Sequence, residues 1–401
     1  MKLRSTLGEQ IILGLGNNID YEIVWNSQVI ERLIVEYGIN SSEIGTDIPI
    51  SRTRGIVISI LGFLKSGTGG ERFVTSLDII LDFARLFHKK ITMGGTSLRA
   101  AIAMRKIGYN SALHLVTINN LVRKMIPQDS PWVCSNDSDS FYPHLIVQFN
   151  KGTRVQAGDV SIHTKSANRI IYVNDHDNAV MEISPELESL SSDARVFLIS
   201  GFNAMQSSEL LSDKLGKLLK IIKSLPSDTV VFYEDACYPN LNLNKLVRET
   251  LIDVIDIFSL NEDEMQEYLG RKIMLLDPVE VFAALQELHR LLPVSTLVVH
   301  TKDWGLAYGE KVVQYSKSLK RGITMATTRF RLGDDFSHSD YLKTEGLPTD
   351  MEKTKFSETL NKLVGEKVYC LPSFQVKEIN VTNVGLGDSF VGGFLSALVE
   401  R

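Results

Sequence analysis

The sequence predicts an α/β fold on a mostly parallel sheet, and three observations predict it. Short apolar runs alternate with amphipathic helical stretches along most of the 401 residues. The runs are rich in Val, Ile, Leu or Phe, as expected of strands covered on both faces. The chain is 44% hydrophobic, enough to bury a large core in one big domain or two unequal ones.

Ile11–Leu15 is the first candidate strand. From Tyr21 to about Thr75 the pattern changes to shorter, partly alternating strands, with Arg54–Leu61 as one example. Ser76–Phe87 reads as a helix with Ile80, Phe83, Ala84 and Phe87 on one face and Ser76 as its N-cap. Ser97–Ile107 is an Ala-rich helix that stops at Gly108. Short strands return between Tyr142 and about Glu188, including His144–Phe149 and Arg169–Val173. The buried-strand pattern resumes with Val196–Ser200, Thr229–Tyr233, Val254–Leu260 and Thr296–His300. Helical stripes at Ser208–Lys223 and Val279–Leu292 lie between them. Gly322–Lys367 is polar and charged and reads as a surface insertion that includes some helix. The expected organisation is one unit in which segments of about 21–75 and 142–188 form a small β-containing lid. The remainder forms the large α/β domain.

Composition removes several function classes. The net charge of −5 and the lack of a basic stripe with interleaved aromatics argue against nucleic acid as a partner. No apolar run is long enough to span a bilayer, so no membrane partner is expected. The polar Met1–Gln10 segment does not read as a secretory leader. Cys134, Cys237 and Cys370 lie far apart, which gives neither a disulfide framework nor a zinc site. A reducing, cytoplasmic location is the expectation, with a monomer or small homo-oligomer.

The strongest chemical signal is Val381-Thr-Asn-Val-Gly-Leu-Gly-Asp388-Ser-Phe-Val-Gly-Gly-Phe394. Gly385 and Gly387 let the backbone approach a ligand closely around Leu386. The first amides of the following helix point at one spot, with the positive end of the helix dipole behind them. That is an anion hole suited to a moving phosphoryl group. Asp388 beside it is placed to take the proton of an attacking hydroxyl. The bland alternative is that Asp388 is a helix N-cap after a glycine turn.

Gly385-Leu-Gly-Asp388 resembles the Gly-x-Gly-Asp motif of the ADP-dependent glucokinase and phosphofructokinase family, within the ribokinase-like superfamily. Six further segments resemble the family in the right order. They are Leu13-Gly-Leu-Gly-Asn17-Asn18-Ile-Asp20, Met93-Gly94-Gly95-Thr96-Ser97, Ser200-Gly201-Phe202-Asn203, Val231-Phe-Tyr-Glu234, Ser259-Leu-Asn261-Glu-Asp-Glu264 and Val299-His300-Thr301. The chain departs from the family at Phe232, where relatives carry the His of a His-x-Glu segment, and at Thr96, where they often carry Gln or Asn.

The resemblance implies a ribokinase-like three-layer sandwich and a sugar kinase using ADP; residues alone do not separate ADP from ATP as donor. It implies Asn18, Asp20, Gly94, Gly95, Thr96 and Asn203 at the sugar, and Asn261, His300 and Thr301 at the nucleotide. Glu234 and Glu264 would organise magnesium. Arg169, on an expected lid strand, is a candidate for binding phosphate. Each position also has an ordinary reading. Asn17-Asn18-Ile-Asp20 is a common turn cluster, Glu262-Asp-Glu264 an acidic first helical turn, and Arg169 a solvent-facing strand residue.

Three rivals remain at this level. One is an ATP-dependent sugar or nucleoside kinase of the same superfamily. A second is a weakly catalytic sugar-binding regulator, motivated by Phe232 and Thr96. The third is a hydrolase, because Gly387-Asp-Ser389 resembles the Gly-Asp-Ser start of one esterase family. Asp335-Phe-Ser-His338 has the partner spacing but precedes the serine, which is the wrong order.

Overall fold

The computed structural model describes residues 10–378 and 381–400. Most of the polar Met1–Gln10 segment lies outside the described residues. The chain forms two compact units. The larger comprises residues 10–17, Gly95–Asp139 and 178–400, and the smaller Asn18–Gly94 and Ser140–Asp177.

The larger unit is built on a nine-stranded sheet with helices on both sides. From one edge the strands are Val368–Pro372, Trp304–Gly309, Thr296–His300, Ile257–Asn261, Val230–Glu234, Val196–Ile199, Ile11–Leu13, Ala112–Leu115 and Trp132–Cys134. Neighbours are parallel except at Trp304–Gly309, which is antiparallel to both of its neighbours. All five strands expected from the apolar runs are present, shifted by up to three residues at their ends. Ile11–Leu13, Val196–Ile199 and Thr296–His300 are buried along their whole length, which is why they lack alternation.

Ile11–Leu13 lies between Val196–Ile199 and Ala112–Leu115, and the strand order runs outward in both directions from it. Helical crossovers diverge at such a switch point, and a crevice opens at the carboxyl ends of the strands.

The flanking helices follow their apolar stripes. Ser208–Ser224 buries Leu211, Leu215, Leu218 and Ile221, and Ser207 caps it by accepting from the Leu210 amide. Pro278–Leu291 starts with Asp277 as N-cap and proline in its first turn.

The stretch from Gly322 to Lys367 is not the surface insertion that its polarity suggests. Helix Ser316–Leu332 runs through its start and is buried from Gly322 to Met325 and from Thr327 to Arg329. Its threonines misled the reading. Thr324 and Thr328 donate to the Lys320 and Thr324 carbonyls, at 2.8 and 2.7 Å, and so are satisfied inside the protein.

The smaller unit holds a five-stranded sheet in the order Gly70–Phe73, Asn168–Val173, His144–Phe149, Asn18–Ile23 and Lys89–Gly94. A hairpin of Arg154–Ala157 and Val160–His163 accompanies it. Arg54–Leu61 is not a strand but part of helix Thr53–Ser66. Every residue from Ile56 to Leu64 is buried, so the helix shows no polar stripe and its apolar run resembles a buried strand. Gly67, at φ +72°, ends it in the left-handed conformation.

Among the described residues no helix is long and apolar enough to cross a membrane.

One buried histidine ties the central strands of the larger unit to the loop after Met181. His114 Nδ1 donates to the Leu15 carbonyl at 2.9 Å, and Nε2 accepts from the Ser184 amide at 2.9 Å. Burial drives its pKa from 6.5 down to about 4, and the Leu15 bond opposes this only in part. The unfolded chain therefore binds a proton that the folded chain refuses. This contribution to stability is complete above pH 6.5 and is lost as pH falls towards 4. At pH 5 it should amount to a deficit of about 2 kcal/mol relative to pH 8. The thermal midpoint of the native protein should therefore drop more between pH 8 and pH 5 than that of His114→Gln; equal drops would contradict the linkage.

Candidate active site

Helix Leu386–Leu398 carries the glycine-aspartate motif, and close packing fixes its position. Gly392 lies against Ala100 of helix Thr96–Lys106, where an added Cβ would sit 2.9 Å from a carbonyl oxygen. A Cβ at Gly393 would overlap the Arg321 carbonyl and lie 2.9 Å from Gly322 Cα of helix Ser316–Leu332. The two glycines thus let three helices approach at backbone distance. Residues Ser389 to Leu398 are all buried.

The helix starts at Gly385, whose φ of +67° favours glycine. The first amides of the helix are left without a side-chain cap. Asp388, in that first turn, is 23% exposed at its side chain. Thr96 Oγ1 donates to its Oδ1 at 2.8 Å, and Arg99 Nε lies 3.7 Å from its Oδ2. Its neighbour Ser389 is 1% exposed, and its Oγ has no partner among the described residues. A nucleophile needs access and a base, so the Ser389 hydrolase is set aside.

A buried dyad lies beside this turn. His300 Nε2 is 2.9 Å from Glu234 Oε1, and the imidazole stacks on Phe390 at 4.7 Å. Gly387 faces both, because a Cβ there would lie 3.3 Å from His300 Cε1 and 3.7 Å from Glu234 Oε1. Burial opposes protonation of His300, but Glu234, Glu262 and Asp388 outweigh it and hold the pKa above its ordinary value. Phe232 stands where the resemblance expects histidine. It is fully buried, with its ring 5.5 Å from that of Phe394. The imidazole at Glu234 thus comes from the Thr296–His300 strand.

Glu264 is buried too. Burial, then the charges of Asp235 and Glu234, push its carboxyl well above the usual range. Asp235 is likewise raised by burial, against hydrogen bonds from Tyr268 and Tyr233. Glu264 Oε2 accepts from the Asn261 amide at 2.8 Å while Asn261 Oδ1 accepts from the Asp263 and Glu264 amides. Both expected site residues therefore also form a capping box.

Magnesium, which the resemblance implies, can be tested against these groups. Glu234 Oε2 is buried with no hydrogen-bond partner. An orphan carboxylate oxygen, beside further carboxylates that repel one another, is the hard oxygen chemistry this ion takes. The described residues hold no ready-made cluster of three ligands, so the ion would keep several waters. The residues fit.

The other expected positions of the larger unit divide. Gly95 (φ +83°) packs against Gly16 and Asn17, where a Cβ would meet backbone at 2.7 Å. Asn203 lies in a short 3₁₀ turn after Gly201. The Thr301 hydroxyl accepts from the Asp303 and Trp304 amides at 3.0 Å, which stabilises a hairpin turn.

In the smaller unit, Asn18 Nδ2 donates to Asp20 Oδ1 at 2.6 Å, and Gly94 leaves room for the Asn18 side chain. Asp20 is paired in register with His144, which bonds Asp175 at 2.9 Å. Burial raises the Glu71 carboxyl against the opposing charges of His144 and Arg169. Arg169 is exposed on its strand. Asn261, His300 and Thr301 belong to the larger unit, so Arg169 is not in the same compact unit as the other expected nucleotide residues.

The sequence reading missed Arg99, Arg329, Glu71 and His144. Arg99 stands in a helix that reads only as Ala-rich, and Arg329 in a stretch that reads as a polar surface insertion. His144 had a usable signal, since it opens an otherwise mostly apolar short strand, whereas Glu71 stands in the polar segment Gly70–Phe73.

The conserved region of the ADP-specific phosphofructokinases and glucokinases matches residues 9–396. The chain belongs to this family. It is therefore related to kinases that phosphorylate sugars with ADP as donor. No curated protein matches the sequence significantly. A phosphofructokinase from Pyrococcus horikoshii OT3, solved with AMP, is 17% identical with a TM-score of 0.74, and 98% of each chain is covered. An ADP-dependent kinase in complex with fructose-6-phosphate and ADPβS is 15% identical with a TM-score of 0.74, covering 98% of this chain and 94% of that one. The reconstructed last common ancestor of ADP-dependent phosphofructokinases from Methanosarcinales is 15% identical with a TM-score of 0.72 and the same coverage. The α/β architecture on a mostly parallel sheet, expected from the sequence, is the one the chain has.

The glycines of the turn separate by experiment. A Cβ at Gly385 would overlap Arg99 Nη1, lie 3.0 Å from Arg329 Nε and strain a left-handed backbone. Gly385→Ala in the kinase should cost about 1–3 kcal/mol and lower turnover at least tenfold. Gly387→Ala meets only a near contact with His300 and should cost less stability. Thermal midpoints in the reverse order would contradict this geometry.

Proposed function

We propose that the protein transfers the terminal phosphoryl group of ADP to a hydroxyl of glucose or of a sugar phosphate such as fructose 6-phosphate. The observation that carries this reading is a partly exposed carboxylate, Asp388, beside the uncapped amino end of a buried helix at a glycine turn. In-line phosphoryl transfer needs a base for the incoming hydroxyl and fixed positive dipoles for the moving charge. Asp388 takes the proton. The backbone around Gly385, Leu386 and Gly387 stabilises the phosphoryl oxygens. The nearby imidazole of His300, held by Glu234 and favoured in its charged form by the surrounding carboxylates, adds positive charge on the same side when protonated.

Glu234 and Glu264 are the groups assigned to magnesium, which would screen the nucleotide phosphates. Asn261, His300 and Thr301 line the nucleotide side, and Gly95, Thr96 and Asn203 the acceptor side. Within the smaller unit, Asn18, Asp20 and Gly94 are the residues assigned to the sugar and Arg169 the one assigned to phosphate. The related kinase solved with fructose-6-phosphate and ADPβS supports this pairing of acceptor and donor. Cytoplasmic location and a monomer or small homo-oligomer complete the proposal.

Three measurements test it. Purified protein given ADP or ATP with magnesium, and a panel of sugars and sugar phosphates, should form phosphorylated product fastest with ADP. Binding of a sugar without any turnover would favour a regulator. Asp388→Ala should lower kcat about a thousandfold or more, with Ser389→Ala far milder; a nearly active Asp388→Ala would remove the base. Glu234→Gln should raise the magnesium concentration for half-maximal rate by about tenfold or more. An unchanged requirement would take Glu234 out of the metal site.

A further inference from the structure

Two acidic residues of the larger unit occupy the same kind of place and behave differently. Glu264 and Asp388 are each the third residue of a helix, Glu262–Leu269 and Leu386–Leu398. Glu264 folds back and accepts from the backbone amide of its own N-cap, Asn261. This is the usual fate of a carboxylate in a first helical turn, because uncapped amides attract it. Asp388 does not do this. Its N-cap is Gly385, which has no side chain to compete for the amides, yet the carboxylate is drawn sideways to another helix.

What draws it is one turn of helix Thr96–Lys106. Thr96 and Arg99 are three residues apart and so share a face. Thr96 Oγ1 holds Oδ1 at 2.8 Å, and Arg99 Nε stands 3.7 Å from Oδ2. The Arg99 side chain is almost wholly buried, so its charge acts on Asp388 with little screening by water. A second buried arginine closes the arrangement. Arg329 Nε donates to the Val384 carbonyl at 2.7 Å and its Nη1 pairs with Asp334. It thereby fixes the backbone immediately before Gly385. Both guanidiniums fill the space where a Gly385 side chain would stand.

We propose that Thr96 and Arg99 are positioning residues that keep the Asp388 carboxylate off its own helix amides, so that the same helix end can hold a phosphoryl group while the carboxylate takes a proton. A base that capped its own helix would occupy the anion hole it is meant to serve. This inference rests on the reading of Asp388 as the base, and it replaces the sugar contact assigned above to Thr96 with a role acting through Asp388.

The test compares Arg99→Met, Arg99→Lys, Thr96→Val and Thr96→Ser with Asp388→Asn. Assays use ADP, magnesium and whichever of glucose or fructose 6-phosphate the unmodified protein turns over. Arg99→Met is expected to lower kcat about a hundredfold with KM for both substrates within about threefold. Lysine at 99 should restore at least tenfold of that loss. Thr96→Val should lower kcat about tenfold, and serine should restore it. A crystal structure of the Thr96→Val, Arg99→Met double variant should show Asp388 folded back on the first amides of its helix.

A KM rise of more than about tenfold with kcat preserved would make these residues substrate contacts and overturn the proposal. So would an unmoved carboxylate in the double variant, or unchanged kcat in both Arg99→Met and Thr96→Val while Asp388→Asn is inactive. An active Asp388→Asn would instead remove the base itself, and the positioning role with it. If Arg99→Met does not fold, the Thr96→Val and Thr96→Ser pair still reads the same carboxylate. The overturning result is then equal kcat in those two.

Discussion

The site depends on the close approach of three helices through Gly392 and Gly393. These glycines lie in the middle of helix Leu386–Leu398, where any side chain would push against the backbone of a neighbour. That contact fixes the start of the helix against helix Thr96–Lys106, and therefore sets Asp388 against Thr96 and Arg99. Backbone-to-backbone packing is stiff, since no rotamer can change to absorb a shift. The Asp388 carboxylate and the first turn of its helix can then keep one geometry without a ligand to hold them.

Charge is sorted around this fixed point within the larger unit. Arg99 and Arg329 pack against Gly385, while Glu234, Asp235 and Glu264 cluster beyond Gly387. His300 stands between, with Glu234 on one side and the Phe390 ring beneath it. Buried groups of one sign repel and raise one another's cost unless an opposite charge arrives. The carboxylate side therefore suits a cation, and the helix end suits an anion. A nucleotide phosphate that carries a divalent cation offers both.

Much of this was legible before any coordinates. The buried strands have a composition that only a two-sided sheet explains, and Gly385-Leu-Gly-Asp388 announces a glycine turn into a helix. Two kinds of residue were not legible. Arg54–Leu61 and the Thr324–Thr328 region were misread because burial on all sides erases periodicity and because threonine can satisfy its hydroxyl on its own helix. Arg99 was invisible for a different reason. Its spacing from Asp388 is 289 residues, so only the packing of Gly392 on Ala100 brings the two together. The same holds for His300 and Glu234, which lie on strands separated in the sheet by Ile257–Asn261.

The central place of Ile11–Leu13 also matters for how the chain is made. This strand's partner Val196–Ile199 is synthesised some 185 residues after it. At usual synthesis rates that gap is about 10 to 40 s. Throughout it, one edge of this three-residue, wholly apolar strand is left without its partner. The newborn polypeptide is thus exposed to clumping during that gap, and holding chaperones would have work there.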